Sequence, residues 1–203
     1  MSSKYLTKSK FQIALSCETK LFYGANKKYK NKNLDDTFMA ALAEGGYQVG
    51  ELAKCYYPGG IEINELDYDT ALSKTNELLK QENVIIYEAA FCFGNLFIRA
   101  DILVKKGNSI ELIEVKAKSF KGDDSLDFLN KKGKIESKWK SYLYDVAFQK
   151  HVITSAFPNW NVKAFLMMAD KKKQATVDGL NQKFFVKKDS HGRLGVNIKG
   201  FVN

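Results

Sequence analysis

The chain has 203 residues, 45% of them hydrophobic and 13% aromatic, enough for one domain with a sizeable core and unlike a disordered polymer. Lys and Arg number 32 against 23 acids, a net charge of +9 that is nearly all lysine, because Arg99 and Arg193 are the only arginines. A balance of this kind favours a polyanionic partner through phosphate attraction and counterion release, whereas no apolar run reaches the roughly 20 residues that a bilayer span needs.

Gln12, Ser16 and Glu18 interrupt the stretch after the N-terminal lysines, so no signal peptide is expected. Cys17, Cys55 and Cys92 are odd in number, widely spaced and without a CxxC pair; they read as reduced thiols of a cytoplasmic protein.

Residues 5–23, YLTKSKFQIALSCETKLFY, are expected to form a first helix capped by Thr7 or Ser9. Phe11, Ala14, Leu15, Leu21 and Phe22 would supply its buried stripe, with Lys8, Lys10 and Lys20 left to solvent or phosphate. A basic loop over Gly24–Asn33 precedes a second helix from Asp35 or Asp36 to about Lys54, with a kink expected at Gly45-Gly46. The turn Tyr57-Pro58-Gly59-Gly60 leads into a short strand, Ile61–Leu66, and a third helix over Asp69–Gln81. Asn83–Lys105 reads as a hairpin turning at Gly94-Asn95, and Gly107-Asn108 turns the chain into a third strand ending near Lys118. A polar connection, a long helix from about Ile135 to Phe157, a strand at Val162–Met168 and terminal strands in FFVKK and VNIKGFVN complete the chain. That order predicts a single α/β or α+β domain over 1–203, with the three central strands at its middle.

Those strands carry charge where burial alone would not put it. Alternation places Glu88 with Val84, Ile86 and Ala90; Asp101 with Phe97, Arg99 and Leu103; and Glu114 and Lys116 with Ile110, Leu112 and Lys118. Three acids and a lysine on neighbouring strands repel or desolvate badly unless something binds there. Mg²⁺ would suit, since this hard ion takes oxygen ligands and keeps several waters. Asp101 and Glu114 then face one ion from two strands, while Lys116 holds a water or stabilises phosphoryl charge. Glu88 would add a ligand, complete a second site or bind a metal water. The plain alternative for a Glu-x-Lys pair is a solvated strand edge. Gln149 shares a helical face with Lys138, Tyr142 and Asp145, either as an exposed polar stripe or as a substrate contact. Trp139 is a core residue or a platform for an unpaired base. His151 and His191 are isolated and take no role.

Asp101 followed by Glu114-Val115-Lys116 resembles the signature of the PD-(D/E)XK nuclease superfamily, with Ala100-Asp101 in place of Pro-Asp. YLTKSKFQIALSCETKLFY resembles the opening helix of RecB-like and CRISPR-adaptation exonucleases. IYEAAF, IRADILVK, ELIEVKAK and EGGYQVGELAK resemble an uncharacterised bacterial RecB-like family, and Gln149 falls at a helical Gln-x-x-x-Tyr motif whose Tyr is here Ile153.

The resemblance covers most of residues 5–157. It implies a restriction-endonuclease-like fold, with a central mixed sheet flanked by helices. It implies a Mg²⁺- or Mn²⁺-dependent deoxyribonuclease whose catalytic residues are Asp101, Glu114, Lys116, Glu88 and Gln149. The metal ligands would be Asp101, Glu114, the Val115 carbonyl and Glu88, and the partner DNA or, alternatively, RNA. Tyr47 stands where the branch often carries a metal-binding His. Cys17 matches the first cysteine of the cluster-bearing relatives, but no cysteine follows Cys92, so an iron–sulfur cluster is not expected and a family C-terminal extension is taken to be missing. A nucleic-acid-binding module without turnover is the rival reading.

Overall fold

The computed structural model describes residues 5–24, 26, 28–29, 36–121, 128–188 and 194–200. His191, Arg193 and much of the Gly24–Asn33 loop lie outside them. The order is β1 (Leu6–Thr7), α1 (Lys8–Ser16), α2 (Glu18–Gly24), α3 (Thr37–Cys55), β2 (Ile61–Glu62) and α4 (Tyr68–Leu78). Then come β3 (Asn83–Phe93), β4 (Leu96–Lys106), β5 (Ser109–Phe120), α5 (Ser137–Ala156), β6 (Asn161–Asp170), α6 (Leu180–Lys183), β7 (Phe184–Lys188) and β8 (Leu194–Ile198).

The fold is mixed α/β, consistent with a restriction-endonuclease-like arrangement. A six-stranded mixed sheet runs β2-β3-β4-β5-β6, with β1 added on β4. The two hairpins are antiparallel, whereas β2 on β3, β1 on β4 and β6 on β5 are parallel. Gly94 and Gly107 both take φ +57, the left-handed conformation that two-residue hairpin turns require and that costs glycine nothing. A separate β7–β8 hairpin packs on α3. No helix among the described residues is long and apolar enough to cross a membrane.

Two cores sandwich the sheet. The larger joins Ala71 of α4, Leu79 just beyond its C-terminus, and Phe148, Val152 and Ile153 of α5 to Ile86, Ile98, Ala100, Leu103, Ile110 and Leu112. The smaller packs Ala53 of α3 on Tyr87, Ile102, Val104 and Ile113. Burying each Val, Leu, Ile or Phe side chain among these contributes about 1.5–3 kcal/mol.

The first expected helix is broken. Cys17 is extended (φ −169, ψ 115) and separates α1 from α2, while residues 5–7 are not helical. Thr7 caps α1, its hydroxyl accepting from the Lys10 amide at 3.4 Å. Phe11 stacks on Phe148 at 4.5 Å, but Leu15 and Phe22 are 49% and 71% exposed and bury no stripe. Asp36 caps α3, which runs on through Gly45 and Gly46, and the expected strand at Ile61–Leu66 shrinks to Ile61–Glu62.

Candidate active site

β3 pairs with one edge of β4 along its length except at Glu88 and Asp101, so the other edge must serve both β1 and β5. β5 pairs with it only from Lys106↔Ser109 to Ile102↔Ile113, and β1 only at Leu96 and Phe97. Between them Ile98–Asp101 borders a gap in the sheet, and the site is built there. Asp101 reaches across it: its Oδ2 accepts from the Val115 amide at 2.7 Å, a side chain replacing a ladder hydrogen bond.

Glu114 is wholly buried, and its carboxylate is held from three directions. Lys8 Nζ donates to Oε1 at 2.8 Å and to Oε2 at 3.0 Å. Lys116 Nζ lies 2.6 Å from Oε1, and Gln149 Nε2 donates to Oε2 at 2.6 Å. Lys116 also donates to Asp145 Oδ2 at 2.7 Å, and Gln12 Nε2 donates to Asp145 Oδ1 at 2.6 Å. α5 therefore places Asp145 and Gln149 one turn apart beneath the strands, both buried rather than forming an exposed stripe.

Electrostatics separate the two central acids. Burial pushes Asp101 up, the Glu114 charge adds to it, and the Lys8 charge and Val115 amide offset only part, leaving its carboxyl at about 7. Burial also opposes charge on Glu114, yet Lys8 and Lys116 together hold it below the usual carboxylate range. Burial pulls Lys116 down, but the Glu114 charge and the hydrogen bonds to Asp145 and Glu114 outweigh it and raise it well above the ordinary ammonium value. The same balance raises Lys8, through Glu114 and then Asp101. Lys116 is thus a cation and a donor at neutral pH, not a base.

Glu88 sits on β3 at φ +55, a conformation rare for glutamate. Pairing is present at Tyr87↔Ile102 and Ala89↔Ala100 but not between Glu88 and Asp101, the positions that face each other between them. Burial raises Glu88 above the usual carboxylate range, with Arg99 and Lys8 opposing. Glu88, Asp101, Arg99 and Tyr47 line one cleft of about 1120 Å³, walled by α3 on one side and by Lys187, Lys188 and Leu194–Asn197 of the β7–β8 hairpin on another. Trp139 is only 3% exposed, so it is core and offers no face to a base; Lys118 lies 4.9 Å from its ring centre and 4.9 Å from that of Tyr142.

A hard divalent ion needs only one or two carboxylates when water and phosphate complete its shell. Asp101 and Glu114 fit that need: Lys8 Nζ, acting as a stand-in cation, is 2.8 Å from Glu114 Oε1 and 4.0 Å from Asp101 Oδ1. Glu88 borders the cleft without completing a three-acid cluster, since no group of three or more His, Cys, Asp or Glu suited to a metal occurs among the described residues. Two members of the site escape the sequence reading: Lys8, there left to solvent or phosphate, and Asp145, placed on a polar stripe. The only signal for Asp145 was an acid beside the apolar arc of Leu143, Val146, Ala147, Ile153 and Phe157.

Fold and site together define an α/β domain with a carboxylate–lysine centre in a gap of its sheet. Comparison with protein-family models, curated proteins and solved structures finds no match for the chain.

Proposed function

We propose that the protein is a metal-dependent nuclease that hydrolyses phosphodiester bonds in DNA, a RecB-like relative within the PD-(D/E)XK superfamily. The observation that carries this reading is the convergence of Asp101 and Glu114 on one cation beside Lys116, at a strand gap opening on a cleft. Asp101 and Glu114 would hold Mg²⁺ or Mn²⁺, with the Val115 carbonyl as a further donor, while Glu88 lines the cleft outside that pair. The ion supplies Lewis-acid polarisation of the phosphate and a more acidic water. Lys116, cationic and anchored by Asp145, orients that water and stabilises charge on the phosphoryl oxygens. Gln149 fixes the Glu114 carboxylate through its 2.6 Å hydrogen bond, so its role is positioning. The cleft, about 1120 Å³ and bordered by the exposed Lys187 and Lys188, suits an anionic polymer. The three free cysteines support a cytoplasmic setting.

Labelled single- and double-stranded DNA, with RNA in parallel, incubated with Mg²⁺ or Mn²⁺ tests the proposal. Wild type should cleave, and Asp101→Ala and Lys116→Ala should each lose at least about a hundredfold in rate. Equal cleavage by all three proteins overturns it. Tyr47 in the cleft wall favours a second reading, a binding module without turnover, which predicts salt-sensitive DNA binding and no metal-dependent cleavage.

A further inference from the structure

Lys8 is positioned by the fold rather than by chance. The Leu6 amide donates to the Asn95 carbonyl at 2.7 Å, and Leu6 and Thr7 pair with Leu96 and Phe97. Tyr5, 6% exposed, packs its ring 5.4 Å from that of Tyr68 and 5.5 Å from that of Phe97. Thr7 then caps α1, so Lys8 opens the helix at the gap that β5 leaves on β4. Its ammonium spans both Glu114 oxygens at 2.8 and 3.0 Å and stands 4.0 Å from Asp101 Oδ1.

We infer that Lys8 sets the metal affinity of the Asp101–Glu114 pair, because its ammonium and a divalent ion compete for the same carboxylate oxygens. This rests on the metal reading proposed above and adds to it a resident counter-cation. A small hard ion binds such oxygens at about 2.0–2.1 Å. An ammonium chelating both Glu114 oxygens from the same side leaves no room for that contact, so one cation excludes the other. Charge gives the same answer. Asp101, Glu114 and Asp145 face two lysines, Lys8 and Lys116. A divalent ion added to that set over-neutralises it, and departure of Lys8 restores balance. The side chain is 24% exposed, so its ammonium can swing out towards solvent while Tyr5–Thr7 stay in place. Lys116 cannot exchange in the same way, because Asp145 holds its ammonium from the far side at 2.7 Å.

The test is calorimetric titration of Mn²⁺, without DNA, into the full chain as wild type, Lys8→Met, Lys8→Gln and Lys8→Arg, with the exposed Lys20→Met as a control for net charge. Removing a competing charged hydrogen bond should tighten Mn²⁺ binding at least about tenfold in Lys8→Met. Lys8→Gln, which removes the charge with a polar side chain too short to chelate both Glu114 oxygens, should show the same gain and serves should Lys8→Met not fold. Lys8→Arg and Lys20→Met should stay near wild type. Wild-type affinity or weaker in both uncharged Lys8 variants overturns the inference and leaves the metal reading standing, as does an equal gain in Lys20→Met. No Mn²⁺ binding in any protein overturns both.

Discussion

A carboxylate without solvent contact survives at Glu114 because Lys8, Lys116 and Gln149 replace the water it has lost. Asp101, 27% exposed at its side chain, has only the Val115 amide and a more distant Lys8, and so it carries the pair's cost as a raised pKa. Raised from 3.8 to about 7, it holds in the metal-free folded state a proton that the unfolded chain has already released. Its contribution to stability is therefore complete below about pH 4 and is lost as pH climbs to about 7. Thermal melts in EDTA between pH 4 and 8 should show wild type losing melting temperature across that window. Asp101→Asn, which keeps an acceptor for the Val115 amide, should remove most of that slope; an unchanged slope in the variant refutes the assignment.

At the level of elements, β3 and β4 do not keep one alternation throughout. Leu103 lies in the larger core with Ile98 and Ala100, although Ile102 and Val104, which share the parity of those two, pack in the smaller one. Simple period-two reading put Ile98, Ala100, Ile102 and Val104 on one face. The change of side falls at Asp101, opposite the left-handed Glu88, where the pairing between the strands lapses. A non-glycine residue there stores strain, and under the proposed function that strain holds a cleft-facing acid in place. Glu88→Gly should relieve the left-handed backbone at some cost in chain entropy, raising metal-free stability by about 1 kcal/mol in urea unfolding. Under the proposed function, cleavage by the same variant should fall. A less stable variant with unchanged activity shows that the conformation serves the fold alone.

Across the molecule, α3, the sheet gap and the C-terminal hairpin enclose one cleft that carries Glu88 and Asp101 together with the exposed Lys187 and Lys188. If Lys187 and Lys188 track a duplex backbone, each phosphate contact contributes about 0.9 to the slope of log affinity against log salt. Lys187→Ala/Lys188→Ala should therefore lower that slope by about 1.8 in fluorescence titrations across salt concentrations, with little change in apo stability. An unaltered slope places the DNA elsewhere.

Much of this was legible in the chain itself. The glycine-asparagine turns, the alternating strands, the long α5 pattern and the Asp101, Glu114, Lys116 set are local signals, written within a few residues of where they act. Charge at period-two positions among Ile, Leu and Val marked the site because burial has no other use for it. What only the tertiary structure decided is which side chains answer those charges. Lys8 lies 106 residues from Glu114, and Gln12 lies 133 from Asp145. No periodicity encodes such distances. They follow from β1 and β5 sharing one edge of β4 and from α5 crossing beneath the gap, and a hydrophilic side chain on a helix reads the same in sequence whether it meets water or a buried carboxylate.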